Sequence, residues 1–132
     1  MRGPTRYLCG LFFGARDPES LARWYAEHLG VDPVPQSYDV NPWSQRQGPT
    51  VFAPMAAGSE LFGRPEQTWS VNFRVDDLDE MVAQLRSASI EVDVDPELYP
   101  NGRVANLSDP EGNPVQLWQP DGADLDDPAP TA

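Results

Sequence analysis

Residues 69–94 read WSVNFRVDDLDEMVAQLRSASIEVDV, and the fold turns on how the period of their apolar positions changes. From Trp69 to Val75 the chain alternates. Val71, Phe73 and Val75 fall on one side and Ser70, Asn72 and Arg74 on the other, as a strand with one buried face requires. After Asp76-Asp77 the spacing switches to three and four, so that Leu78, Met81, Val82 and Leu85 line one side of a helix opened by an aspartate N-cap. Ile90–Val94 returns to a strand that ends before Asp95-Pro96. Asn101-Gly102 signals a tight turn. Arg103–Ser108 and Pro114–Gln119 are two further strands joined by Asp109-Pro110-Glu111-Gly112-Asn113, a type I turn with glycine where φ > 0 is wanted. The order is β-α-β-β-β.

The same unit recurs upstream. Leu11, Phe13, Asp17, Leu21 and Tyr25 match Val71, Phe73, Asp77, Met81 and Leu85 at a constant offset of 60 positions. Residues 6–14 read as a buried strand in which Leu8, Gly10 and Phe12 oppose Tyr7, Cys9, Leu11 and Phe13. Asp17-Pro18 then supplies an N-cap and a first-turn proline, Leu21, Trp24, Tyr25 and Leu29 form a helical stripe, and Gly30 is a C-cap. From 31 to 67 the prolines at 33, 35, 42, 49, 54 and 65 leave room only for short or edge strands, near 34–39, 43–47 and Thr50–Met55. The expected organisation is one domain over 1–120, with module one at about 5–55, a linker at 56–67 and module two at 68–120. An acidic, proline-rich, disordered tail is expected over 121–132.

Bulk composition narrows the function. The 132 residues support one domain with a proper core. The net charge of −12 comes from 21 acids against nine arginines and no lysine, and it stays negative without the tail's Asp121, Asp124, Asp126 and Asp127. That balance opposes nucleic acid and anionic membrane surfaces as partners. A single cysteine, Cys9, excludes an internal disulfide and suits a reducing, cytoplasmic setting; it is expected to be a small buried hydrophobe. No apolar run reaches the length of a membrane helix. There is no Ser-His-Asp set, no Cys-His pair and no glycine-rich phosphate loop. The carboxylates of Asp17, Glu19, Asp76, Asp77 and Asp79 fit capping and first-turn roles, and Glu60 and Glu66 lie in the linker without a second group to pair with.

Three stretches, FFGARDPESLARWYAEHLG (12–30), FRVDDLDEMVAQLRSASIEV (73–92) and GRVANLSDPEGNPVQLWQP (102–120), strongly resemble the vicinal oxygen chelate superfamily of glyoxalases, bleomycin-resistance proteins and ring-cleaving dioxygenases. The resemblance implies an α+β fold: two βαβββ modules forming a curved mixed sheet around a cavity, commonly in a homodimer. Metal-dependent members are similar in placing one His, Glu or Gln ligand on each of four strands. Carried over by position, those places are Gly10, a site near Thr50, Ser70 and Gln116. Glycine has no side chain, and two hydroxyls and an amide are poor donors for Zn²⁺, Ni²⁺ or Fe²⁺, which call for imidazole or carboxylate. The only histidine, His28, ends the first helix, where positive charge complements the dipole. The expectation is therefore a family member with no metal and no other cofactor.

Cavity candidates follow from the strand faces. Ser70, Asn72, Gln116 and Trp118 occupy non-helix positions, and buried amides such as Asn72 and Gln116 must find partners that a ligand can supply. Arg74 and Arg103 would either fork onto an anionic or carbonyl group or bridge to acids on the rim. Phe12, Phe52 and Trp118 would stack on a ligand or serve as plain core. Tyr99 would donate its hydroxyl into the cleft mouth or cover the sheet edge. The leading expectation is a small-molecule-binding protein for an aromatic or apolar ligand. The alternatives are a lyase, isomerase or dioxygenase acting metal-free or through unusual ligands such as Glu60 or Tyr99, and a structural or regulatory partner protein with a filled cavity.

Overall fold

The computed structural model of the chain describes residues 3–5 and 7–121. Its elements are helices α1 (Pro18–Leu29) and α2 (Leu78–Ser87), a 3-10 turn at Glu60–Phe62, and strands β1 (Val71–Arg74), β2 (Asp93–Val94), β3 (Gly102–Ser108) and β4 (Pro114–Pro120). The four strands form one sheet in the order β1-β4-β3-β2. β1 runs parallel to β4 and the other pairs are antiparallel. A parallel pair needs a long crossover, which α2, β2 and β3 provide. The architecture is α+β, with an open mixed sheet. Among the described residues no helix is long and apolar enough to cross a membrane.

Each helix begins where the sequence predicts. Asp17 accepts from Ser20 N at 3.2 Å with Pro18 in the first turn, and Gly30 closes α1 at φ 71°. Asp77 accepts from Glu80 N at 3.0 Å to open α2. Leu21 and Tyr25 of α1 and Leu78, Val82 and Leu85 of α2 join Ala105, Leu107, Val115 and Leu117 in one core. Every sheet member of that set has odd parity, so both helices lie on one face. Leu78, Leu85, Val115 and Leu117 are fully buried, each worth about 1.5–3 kcal/mol.

The β3–β4 turn locks α1 to the sheet. The Asp109 carboxylate accepts from Glu111 N at 2.9 Å, Asn113 N at 3.0 Å, Asn113 Nδ2 at 2.8 Å and the Tyr25 hydroxyl at 2.7 Å. Asp109 and Asn113 are both buried. Gly112 supplies the left-handed step at φ 82°. Glu111 reaches back to accept from Arg16 N at 2.6 Å and Asp17 N at 3.0 Å, just before α1. Arg64 donates to Gly112 O at 3.1 Å and to Gln67 Oε1 at 2.9 Å, tying the segment between the modules to the same turn.

Residues 71–120 form the βαβββ unit, and upstream of it the described residues contribute α1 and the 3-10 turn as regular structure. The strands expected over 6–14, 34–39, 43–47 and 50–55 have no ladder partners, and Tyr7, Leu8, Leu11, Val51 and Phe52 are exposed. The prolines among them cannot donate to a ladder, and within one protomer no neighbouring strand covers their apolar sides. Cys9, expected to be buried, is exposed for the same reason. Ile90–Val94 pairs only at Asp93 and Val94. Arg86 Nη2 takes the Val92 carbonyl at 2.8 Å, and Ser89 sits at φ 64°, so 90–92 diverges from β3. The tail expected at 121–132 lies, beyond Asp121, outside the described residues.

Replacing Asp109 by Ala should strand a buried hydroxyl and a buried amide, at a cost of roughly 3 kcal/mol, whereas Tyr25→Phe should cost about 1–2 kcal/mol. Urea unfolding followed by circular dichroism checks this; unchanged midpoints in both variants would show that the turn does not anchor α1. Burial first, then the hydrogen bond to Asp109, pushes the Tyr25 phenol far above its usual value. In the unfolded chain it ionises near the ordinary value of about 10. The folded chain therefore holds more protons above that pH, and stability should fall as pH rises past about 10. The fall should be shallower in Tyr25→Phe.

Candidate functional site

β4 divides its side chains between two jobs. Val115, Leu117 and Gln119 face the helices, and Gln119 Oε1 accepts from Leu78 N at 2.7 Å, capping α2. Gln116 and Trp118 face the other way, onto the helix-free face of the sheet. Register places Asn72 of β1 and Asn106 of β3 on either side of Gln116, and Arg74 and Val104 on either side of Trp118.

The three amides are bonded into a row. Asn72 Nδ2 donates to Gln116 Oε1 at 2.7 Å, and Gln116 Nε2 donates to Asn106 Oδ1 at 3.2 Å. Ser70, one position before β1, donates its hydroxyl to Pro114 O at 3.4 Å. Trp118 is 8% exposed and donates from Nε1 to Asn101 O at 2.9 Å, so the turn at 99–102 folds over the indole. Gly102 permits this at φ 131°, where any side chain would run into the Gln119 carbonyl. The result is a neutral hydrogen-bonding strip beside an indole that the turn covers; Gln116 is half-buried, whereas Asn72, expected to be a buried amide, and Asn106 are exposed.

At the β1 end residues 43–48 of the proline-rich segment touch the end of the strand without pairing with its edge. Arg74 Nη2 donates to Arg46 O at 3.4 Å, and the Gly48 backbone lies so close to the guanidinium that a Cβ there would collide with it. Arg46 also bonds Asp76 at 3.1 Å, and Trp43 meets Phe73 edge-on at 6.5 Å between ring centroids. Arg74 is thus beside the row but covered by backbone.

Of the residues singled out in the sequence, Ser70, Asn72, Arg74, Gln116 and Trp118 share this face. Arg103 does not. Its parity turns it toward α2, where Nη2 bonds Asp79 at 3.0 Å and holds that carboxyl below its usual range. Tyr99 commits its hydroxyl to Asp95 at 2.7 Å, a bond that pushes its phenol up to about 12. Phe12 and Phe52 lie on irregular segments at 97% and 83% exposure, and neither packs on the row. His28 occupies the last turn of α1 with its ring 5.4 Å from that of Trp24. Asn106 was missed by the sequence reading, although alternation from Leu107 puts it on the same face as Gln116.

A concavity of about 930 Å³ opens where 89–92 parts from β3, bordered by Trp24, Arg86, Glu91 and Asp93 and reaching Asn106 at the end of the row. It is wide and open, and its guanidinium places one N–H on the Val92 carbonyl. The amide row sets three carboxamides in line at the positions the sequence pointed to, and on that ground it is the candidate site. Among the described residues no three His, Cys, Asp or Glu side chains converge as a metal cluster.

The sequence matches the family described as Glyoxalase-like domain over residues 10–118. No curated protein shows significant sequence similarity to the chain. Among solved structures, a glyoxalase/bleomycin resistance protein from Streptomyces sp. CB03234 is 41% identical over 37% of this chain, with a TM-score of 0.34; the match spans only 42% of that protein. TnmS3, an antibiotic binding protein from Streptomyces sp. CB03234, is 26% identical over 80% of this chain and 88% of its own, with a TM-score of 0.49. A structure described as a glyoxalase family protein from Bacillus anthracis is 20% identical over 89% of this chain and 100% of its own, with a TM-score of 0.53, a likeness of fold alone.

Arg103→Ala should be close to neutral, because an exposed ion pair is screened and flexible: the melting midpoint should move by about 3 °C or less. A larger drop, measured by differential scanning calorimetry, would mean that the Arg103–Asp79 pair anchors α2 to the sheet.

Proposed function

Because the chain belongs to the glyoxalase-like family, we propose that it is a small-molecule-binding protein that holds an aromatic or apolar ligand on the helix-free face of its sheet without a metal ion. The observation that carries this reading is the state of the four places where metal-dependent relatives hold their ion. Gly10 has no side chain. Thr50 offers a neutral hydroxyl on an exposed, irregular segment. The Ser70 hydroxyl donates to a backbone carbonyl, and Gln116 is bonded to an amide on each side. Divalent transition ions with an open coordination position want imidazole or carboxylate donors, and these residues do not fit one. The uncharged amides remain suited to a neutral organic ligand. Of the unusual groups the sequence offered for turnover, Tyr99 has its hydroxyl committed to Asp95.

The working unit is a homodimer in this reading. A lone protomer exposes Tyr7, Leu8, Leu11, Phe12, Val51 and Phe52, and leaves one edge of β1 without a neighbouring strand. Apolar surface on that scale, next to an open strand edge, calls for a covering partner. A second copy is the simplest one. The acidic balance keeps nucleic acid and anionic membranes out of the list of partners.

Isothermal titration with Zn²⁺, Ni²⁺, Mn²⁺ and Fe²⁺ tests the metal-free reading. No stoichiometric heat is expected; one-to-one binding that Gln116→Ala abolishes would contradict it. Light scattering should return twice the chain mass, and Phe12→Asp should shift the population toward monomer. A protein that is monomeric at all concentrations would rule out the dimer.

A further inference from the structure

We propose that Asn101 is a site of spontaneous chemical modification, in which its carboxamide converts to isoaspartate and the 99–102 turn then loses its hold on Trp118. The chain has five asparagines. Asn41 and Asn113 precede proline, whose nitrogen has no proton to lose. Asn72 and Asn106 lie within strand ladders, ahead of Phe73 and Leu107, and their carboxamides are tied into the row. Asn101 alone is followed by glycine, whose missing Cβ leaves its nitrogen open to close approach. Asn101 is also exposed, at the tip of the turn.

The reaction needs only water. Once the Gly102 nitrogen gives its proton to hydroxide, it attacks Cγ of Asn101. The bond from Cγ to the side-chain nitrogen breaks, and ammonia leaves after taking a proton from water. Water then opens the five-membered imide at one of its two carbonyls. Opening at the main-chain carbonyl routes the backbone through the side chain, which is isoaspartate. In sum one amide and one water become a carboxylic acid and ammonia, and nothing is oxidised or reduced.

The fold gates this chemistry. In the closed turn the Gly102 N–H donates to Tyr99 O at 3.0 Å. The Asn101 carbonyl accepts from Trp118 Nε1 at 2.9 Å and from Asp121 N at 3.0 Å, which fills both of its acceptor sites. Ring closure takes the nitrogen from Tyr99 and swings the carbonyl away from both donors, so the turn must open first. The product then resists reclosing. Isoaspartate lengthens the backbone by one atom, next to a Gly102 that has no room against the Gln119 carbonyl even for a Cβ. The longer arc draws the acceptor away from the indole, and the Trp118 N–H must be met by water instead.

Tryptic mapping of the native protein aged in mildly alkaline buffer tests the proposal, because cleavage at Arg86 and Arg103 isolates Asn101 as the only asparagine of its peptide. The 87–103 peptide should gain the mass of an NH₂-to-OH exchange. It should do so at least about tenfold more slowly than the same peptide made synthetically, as three hydrogen bonds to be broken would give. Isoaspartate should exceed aspartate in the product, and tryptophan emission should move to the red in step with it. Asn101→Gln should show neither change. Equal rates in protein and synthetic peptide would overturn the gate. A peptide still unmodified after many half-times of the synthetic one would overturn the site, and modification with unchanged emission would overturn the uncovering of Trp118.

Discussion

A single buried carboxylate holds this protein together across its two halves. Asp109 collects two backbone amides, a side-chain amide and the Tyr25 hydroxyl, 84 residues away in the sequence. Burying a charge is costly unless it is fully hydrogen-bonded, and here the four donors leave it satisfied. Because one of those donors comes from α1, the turn that shapes the β3–β4 hairpin also fixes where α1 rests on the sheet. Glu111 adds a second grip by receiving the amides that precede α1, and Arg64 extends the anchorage to the segment between the modules.

From that anchorage the site follows. With α1 and α2 both packed on the odd-numbered side of β3 and β4, every even-numbered side chain is turned to the opposite face. Parallel pairing of β1 with β4 and antiparallel pairing of β3 with β4 then set Asn72, Gln116 and Asn106 in one line. A one-residue slip in either pairing would replace the amides with core residues and dissolve the row. Its chemistry is therefore a property of register as much as of residue type. The same parity removes Arg103 from the site and gives it to Asp79 on α2.

Much of the second module was legible because its signals are local. Alternation over 69–75, a stripe at three and four over 78–85, aspartate caps and a glycine-bearing turn each act within a few residues, and each element formed near its expected bounds. The shared face of Asn72, Gln116 and Trp118 was readable for the same reason. What failed depended on partners. Ile90–Val94 has the composition of a strand, but Arg86 competes for the Val92 carbonyl and shortens it to two residues. Residues 6–14 alternate convincingly, yet a strand needs a neighbour and a lone protomer gives them none. Phe12, Phe52 and Cys9 missed their expected burial on that account. The Tyr25–Asp109 bond spans 84 residues, and no window of sequence contains it; Asn106, ten residues from Gln116 across the hairpin, was within reach of the alternation and was overlooked.

Side-chain amide resonances offer the most direct test of whether the uncharged row, and not an ion, is the working part of this face. In a ¹⁵N–¹H correlation spectrum titrated with Mn²⁺, the NH₂ signals of Asn72, Gln116 and Asn106 should stay sharp, with broadening confined to exposed carboxylate clusters elsewhere. Selective disappearance of the Gln116 signal at stoichiometric Mn²⁺ would put a cation at the centre of the row and contradict the account.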